Sequence, residues 1–175
     1  MRSTPGILAM TLADFTGPGL IIPQLRGQDV ATVIKELSKV LQQEGRVPDL
    51  LPFYNAALNR EFLGGTDWET GIAFPHARLA RVKEVSFALG RGSKPLAWRA
   101  RATGSVRLVF LIAVPATDST QYLSVISGLA RLTKQTDVVE KLHTAQDTLQ
   151  MFEVLQRIAL RTGSAVLPGA KTVTQ

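Results

Sequence analysis

The chain has 175 residues, 45% hydrophobic and 19% charged, with a formal net charge of +6. That length and balance suit one globular domain with a substantial core and argue against a disordered chain. The absence of cysteine excludes disulfide frameworks, thiolate metal sites and thiol catalysis. No apolar run approaches the roughly 20 residues that a membrane helix needs. The early sequence also lacks a secretory-signal pattern, so a cytoplasmic protein, peripheral to a membrane at most, is expected.

In chain order, residues 1–18 read as a flexible N-terminus, rich in Gly, Pro and Thr. Leu20-Ile21-Ile22, bounded by Gly19 and Pro23, predicts a short edge strand. Val30, Val33, Ile34, Leu37, Val40 and Leu41 then recur at helical spacing up to Gly45. A second helix is predicted from about Pro48-Asp49, with an apolar stripe of Leu51, Tyr54, Ala57, Leu58 and Phe62 ending at Gly64-Gly65. Pro52 fits only in its first turn.

Strand periodicity follows. Val85, Phe87 and Leu89 alternate with Ser86 and Ala88, and Leu108 to Val114 is continuously apolar, as in a central strand covered on both faces. Gly90 to Gly104 reads as a basic hairpin or loop. A helix is predicted after a capping pattern at Asp118-Ser-Thr-Gln121, with Leu123, Ile126, Leu129 and Ala130 inward. A short helix over Val138 to Leu142 comes next. Asp147-Thr-Leu-Gln150 then opens a last helix carrying Met151, Phe152, Leu155, Ile158 and Ala159. Residues 163–175 read as a flexible tail, leaving one domain over 19–162.

Charge is uneven. Between Arg78 and Arg107 stand eight basic residues and one acid, Glu84. Such a segment favours anionic partners, nucleic acid being the weakest of these, or simply forms a solvated surface.

Only two histidines occur, His76 and His143. His76 lies between Pro75 and Arg78, just after the short apolar run Ile72-Ala-Phe74. An imidazole there can serve as a base, a metal ligand or a phosphate-accepting nucleophile. No HxxxH or HxH spacing surrounds it, so no metal or other cofactor is expected. GxSxG, P-loop and GxGxxG patterns are also missing. The ordinary alternative is a histidine that only hydrogen-bonds a loop carbonyl, and the residues alone leave both open.

The stretch Arg60-Glu61, Gly64, Thr66, Gly71-Ile-Ala-Phe-Pro-His76-Ala-Arg78 resembles the active-site signature of the IIA domains of the fructose/mannitol class of the bacterial phosphotransferase system. The nitrogen-regulatory IIA proteins belong to that class. Leu108-Val-Phe-Leu-Ile-Ala-Val-Pro115, Leu129-Ala-Arg-Leu132 and Val139-Glu-Lys-Leu142 are similar to its later blocks. The resemblance implies an α/β fold, a three-layer α/β/α sandwich on a mixed sheet. It also implies a phosphotransferase role: His76 accepts a phosphoryl group from the carrier HPr and passes it to a IIB domain or a regulatory target protein.

Under the same resemblance Arg60 is the phosphate clamp, with Thr66, Gly64, Gly65 and Arg78 in support. The ordinary roles for Arg60 and Thr66 are a helix cap and a turn. The family's second active-site histidine falls on Tyr122, and Gly65 replaces a serine. Asp67, Trp68, Glu69 and Thr70 replace a small turn, placing acids near a phosphate site. These departures motivate an alternative, a IIA-like regulatory module acting by protein–protein interaction without efficient phosphoryl transfer. His143 reads as an ordinary surface or half-buried residue.

Overall fold

The computed structural model describes residues 9–68, 70–98, 106–117 and 120–161, the side chains of residues 67 and 68 excepted. Its elements run β1 (Ile21–Ile22), α1 (Val30–Gln43), α2 (Leu50–Leu63), β2 (Asp67–Trp68), β3 (Ile72–Ala73), β4 (His76–Leu79), β5 (Ser86–Leu96), β6 (Val106–Pro115), α3 (Thr120–Thr133), α4 (Thr136–Thr144) and α5 (Thr148–Gln156).

The unbroken apolar run of β6 is buried because both faces of the sheet are covered. Leu108, Phe110, Ile112 and Val114 join one core with residues of α3, α4 and α5. Val109, Leu111 and Ala113 join a second core with residues of α1 and α2. Each large side chain fully withdrawn from water in these cores contributes roughly 1.5–3 kcal/mol. This is the α/β/α sandwich that the sequence implied. The sheet is mixed: β5 pairs antiparallel with β6, β1 parallel with β5, and β3 and β4 both parallel with β6. The short strand β1 lies at one edge, as its flanking Gly and Pro predict.

The segment that delivers His76 is one strand interrupted by a proline. Ile72 pairs with Leu108 and His76 with Ile112, an offset of 36 residues on both sides of the break (108 − 72 and 112 − 76). Pro75 has no N–H to donate, but its carbonyl still accepts from the Ile112 N–H at 2.9 Å, so register survives.

Several expectations are corrected. Residues 12–15 form a 3-10 helix whose Leu12, Ala13 and Phe15 enter the α3–α5 core. Thr11 and Ala159 form an antiparallel bridge, and Leu12 N–H donates to the Ile158 carbonyl at 3.0 Å. The chain is therefore packed well before residue 19, while residues 1–8 lie outside the described residues. Ala159 is not helical, because α5 stops at Gln156.

Of the hairpin or loop expected over Gly90 to Gly104, residues 90–96 belong to β5, which pairs antiparallel with β6. A Cβ on Gly90 would come within 2.6 Å of Leu25 Cδ2, so glycine there permits a close crossing. Residues 99–105, Glu69, the Asp118-Ser119 part of the first capping pattern and the tail 163–175 lie outside the described residues.

Two helices keep most of the predicted face, with Ala57, Tyr54 and Leu58 of α2 and Leu129 and Ile126 of α3 in or against the cores, but some members fall outside it. The buried residues of α2 are Phe53, Ala57 and Glu61, while Leu51 and Phe62 are exposed. In α3, Leu123 is exposed and Tyr122 packs against the core instead.

Candidate active site

His76 opens β4, and strand alternation decides where its ring goes. Ile72 and Phe74 belong to the α3–α5 core and Ala73 and Ala77 to the other, so His76 and Arg78 project toward α3. Their meeting with Tyr122 fits that parity. The His76 and Tyr122 ring centroids are 5.9 Å apart, and the Arg78 guanidinium carbon sits 5.3 Å from the Tyr122 centroid. Arg78 also donates from Nη1 to the Pro115 carbonyl at 3.2 Å. A concavity of about 170 Å³ beside the ring is lined by Thr66, Phe74, His76, Ile126, Leu129 and Ala130.

The imidazole is oriented by its own strand. Nδ1 of His76 lies 3.1 Å from the Phe74 carbonyl oxygen. A carbonyl only accepts, so the bond requires the proton on Nδ1 and leaves the neutral ring with its lone pair on Nε2. The ordinary reading of His76, a ring bonded to a loop carbonyl, is thus correct as geometry. The same contact leaves Nε2 as the unprotonated nitrogen of the neutral ring.

Burial pushes the Tyr122 phenol above its usual pKa, opposed in part by the charges of Arg78 and Arg60. The hydroxyl therefore stays protonated, a donor, through the neutral range. That field at Tyr122 is also what ties exposed Arg60 to the site. Its Nη1 caps the end of α2 by donating to the Gly64 carbonyl at 2.7 Å, which uses one of five N–H groups.

Gly64 is extended (φ −173°), and an added Cβ would meet only Arg60 Nη1 at 3.7 Å. The left-handed glycine of the loop is Gly71 (φ +77°), at the turn between β2 and β3. Gly65 lines a separate hollow with Gly64, Glu61, Leu63 and Trp98. Asp67 pairs through its backbone with Ala73.

Thr66 holds its turn. Its Oγ1 donates to Glu61 Oε2 at 2.7 Å and accepts from the Phe74 N–H at 3.1 Å. Glu61 Oε1 accepts from the Thr66 N–H and from Trp98 Nε1, both at 2.8 Å. Glu61, only 6% exposed, is a site-supporting residue that the sequence signature includes but to which sequence reasoning gave no role. The available signal was its spacing of four from Ala57 and eight from Phe53, which puts it on the inward face of α2.

His143 stands apart in α4. Its pKa is lowered by burial first, then by Arg107, and its Nδ1 is buried with no hydrogen-bond partner among the described residues.

This fold and this histidine-centred loop define a phosphotransferase IIA class, and comparison with known proteins agrees. The chain belongs to the EIIA 2 family of the phosphoenolpyruvate-dependent sugar phosphotransferase system, whose model matches residues 14–158. It is 26% identical over 147 residues to a nitrogen regulatory protein of Bradyrhizobium diazoefficiens, covering 83% of this chain and 95% of that one. Among solved structures it matches the nitrogen regulatory protein IIA-Ntr of Neisseria meningitidis with a TM-score of 0.73 and 25% identity, over 82% of this chain and 98% of that chain. It matches the fold of the Escherichia coli enzyme IIAMTL, solved in complex with phosphorylated enzyme IIBMTL, with a TM-score of 0.68 and 21% identity, over 79% and 95% of the two chains. Among the described residues no helix is long and apolar enough to cross a membrane.

Proposed function

We propose that His76 is the phosphoryl acceptor of this IIA protein. The supporting observation is the Nδ1–Phe74 carbonyl contact at 3.1 Å, which leaves Nε2 as the attacking nitrogen. The Nε2 lone pair forms a bond to the phosphorus of a phosphohistidine on an HPr-type carrier. The donor's N–P bond breaks and its electron pair returns to the donor imidazole, so no co-reactant is needed. The Nδ1 proton stays on His76 throughout, held by Phe74.

Arg60 and Arg78 supply positive charge for the transferred oxygens, and the protonated Tyr122 hydroxyl supplies a neutral donor. Thr66, with its hydroxyl directed to Glu61, acts by shaping the loop rather than by touching phosphate. Phosphorylated His76 then passes the group to a IIB domain or to a regulatory protein. The exchange takes place in the cytoplasm and no metal takes part in it.

The test is incubation of the chain with labelled phosphoenolpyruvate, enzyme I and HPr. Acid-labile label on the wild type and none on His76→Ala is the expected result. An unlabelled wild type, or label persisting in His76→Ala, would overturn the assignment and favour the interaction-module reading.

A further inference from the structure

We propose that Glu61 is a positioning residue: through Thr66 its buried carboxylate holds the Phe74 backbone, whose carbonyl fixes the tautomer of the His76 ring. The kinetic part of this proposal rests on His76 being the phosphoryl acceptor, whereas the positioning part is read directly from the ring nitrogens.

The argument is one of donor and acceptor polarity. An ionised carboxylate cannot donate. Because Glu61 Oε2 accepts from Thr66 Oγ1 at 2.7 Å, the threonine hydroxyl proton points at Glu61 and its lone pairs turn outward. One of them receives the Phe74 N–H at 3.1 Å. The same residue's carbonyl receives the His76 Nδ1–H at 3.1 Å. Phe74 thus has its N–H held from one side while its C=O selects the tautomer on the other.

The far end is fixed as well, since Glu61 Oε1 takes both the Thr66 N–H and the Trp98 indole N–H at 2.8 Å. Three donors converge on one carboxylate that is 6% exposed. Removing it leaves each of those donors without its partner, the Trp98 N–H in a buried place and the Thr66 groups in a part-buried one. Outer partners that fix a histidine's tautomer commonly change activity by about 10- to 100-fold when lost.

The experiment uses the full chain labelled with 15N-histidine, as wild type, Glu61→Ala, Thr66→Val and Glu61→Gln, with phosphoryl acceptance from phosphorylated HPr measured in parallel. In the wild type the neutral His76 ring shows a protonated Nδ1 and an unprotonated Nε2. In Glu61→Ala and Thr66→Val the two nitrogen signals move toward a tautomer average, and acceptance slows at least about tenfold. Glu61→Gln keeps an oxygen for Trp98 and the Thr66 N–H, and its NH2 donates to Thr66 Oγ1, whose other lone pair still takes the Phe74 N–H, so it restores wild-type ring signals and a rate within about threefold.

A folded Glu61→Ala or Thr66→Val with unchanged ring signals would refute the positioning role. So would a Glu61→Gln protein as impaired as Glu61→Ala. If Glu61→Ala does not fold, Thr66→Val decides alone, since it removes the hydroxyl link and keeps the side chain's shape. Ring signals that shift as expected in a wild type that takes no phosphate would retain the positioning role and remove the phosphocarrier reading instead.

Discussion

Tyr122 lies beside the His76 ring, and its surroundings define what it can do. With its pKa raised by burial, the phenol does not ionise as pH rises from about 6 to 9, given an ordinary value near 10. It neither gains nor loses a proton in that window and can only donate. Tyr122→Phe keeps the ring against His76 and the face under Arg78 while deleting the donor. One hydrogen bond to a charged group contributes about 1.5 kcal/mol or more, so phosphoryl acceptance should slow about tenfold. The ratio of wild-type to variant rate should stay flat across that pH range in single-turnover assays; a ratio that changes steeply would mean the phenol titrates. The residues that made His76 legible were the short run before it and the proline beside it. Glu61 was not legible in the same way, because a glutamate near a helix end reads as solvated unless the inward face of α2 is already known.

Among the elements, those with a regular or unbroken apolar pattern or a clear cap were read best. The α1 periodicity, the β6 run and the Asp147 cap all reappear, with Asp147 Oδ1 accepting from the Gln150 N–H at 2.9 Å. Gln150 does not complete the expected box: its Oε1 accepts from Gln146 N–H instead. The two-residue strands β2 and β3 carry too few residues to show a period, and a proline hides their continuity with β4. The 12–15 turn was lost in Gly- and Thr-rich surroundings, although Leu12 is fully buried. Leu12→Ala should therefore cost about 2–5 kcal/mol of stability, read as a lower midpoint in urea unfolding. A loss below about 0.5 kcal/mol, the scale of surface substitutions, would show that this segment is not part of the core.

Across the whole molecule, charge is less available than the +6 total suggests. Arg91 donates to the Pro23, Leu142, His143 and Ala145 carbonyls, fastening the end of α4 to the sheet. Arg107 donates to Gly92, and Arg81 pairs with Asp49. Arg91 and Arg107 of the basic 78–107 segment thus hold the fold together rather than face a ligand, whereas Arg81 stays largely exposed. His143 lies within the field of Arg107 and Arg91, with Glu140 opposing them, and its folded-state pKa is depressed. The unfolded chain then binds this proton more readily, so the associated stability is present above about pH 6.5 and is lost as pH falls. His143→Gln removes that contribution, and its urea midpoint should drop less than the wild type's between about pH 7.5 and 5.5. An equal drop in both proteins would show that the ring is not a source of acid sensitivity.

The constant 36-residue offset across Pro75 makes the position of His76 a matter of counting. Apart from Glu61 and Thr66, which hold Phe74, residues ahead of Gly71 lie outside that count and do not shift the register. Between Ile72 and His76 the tally is fixed. A single residue gained or lost there exchanges odd for even, turning the imidazole, and Arg78 with it, away from Tyr122 and into the layer beneath α1 and α2. Variation in this protein is thereby free in the wording of its loop and forbidden in the metre of its strand.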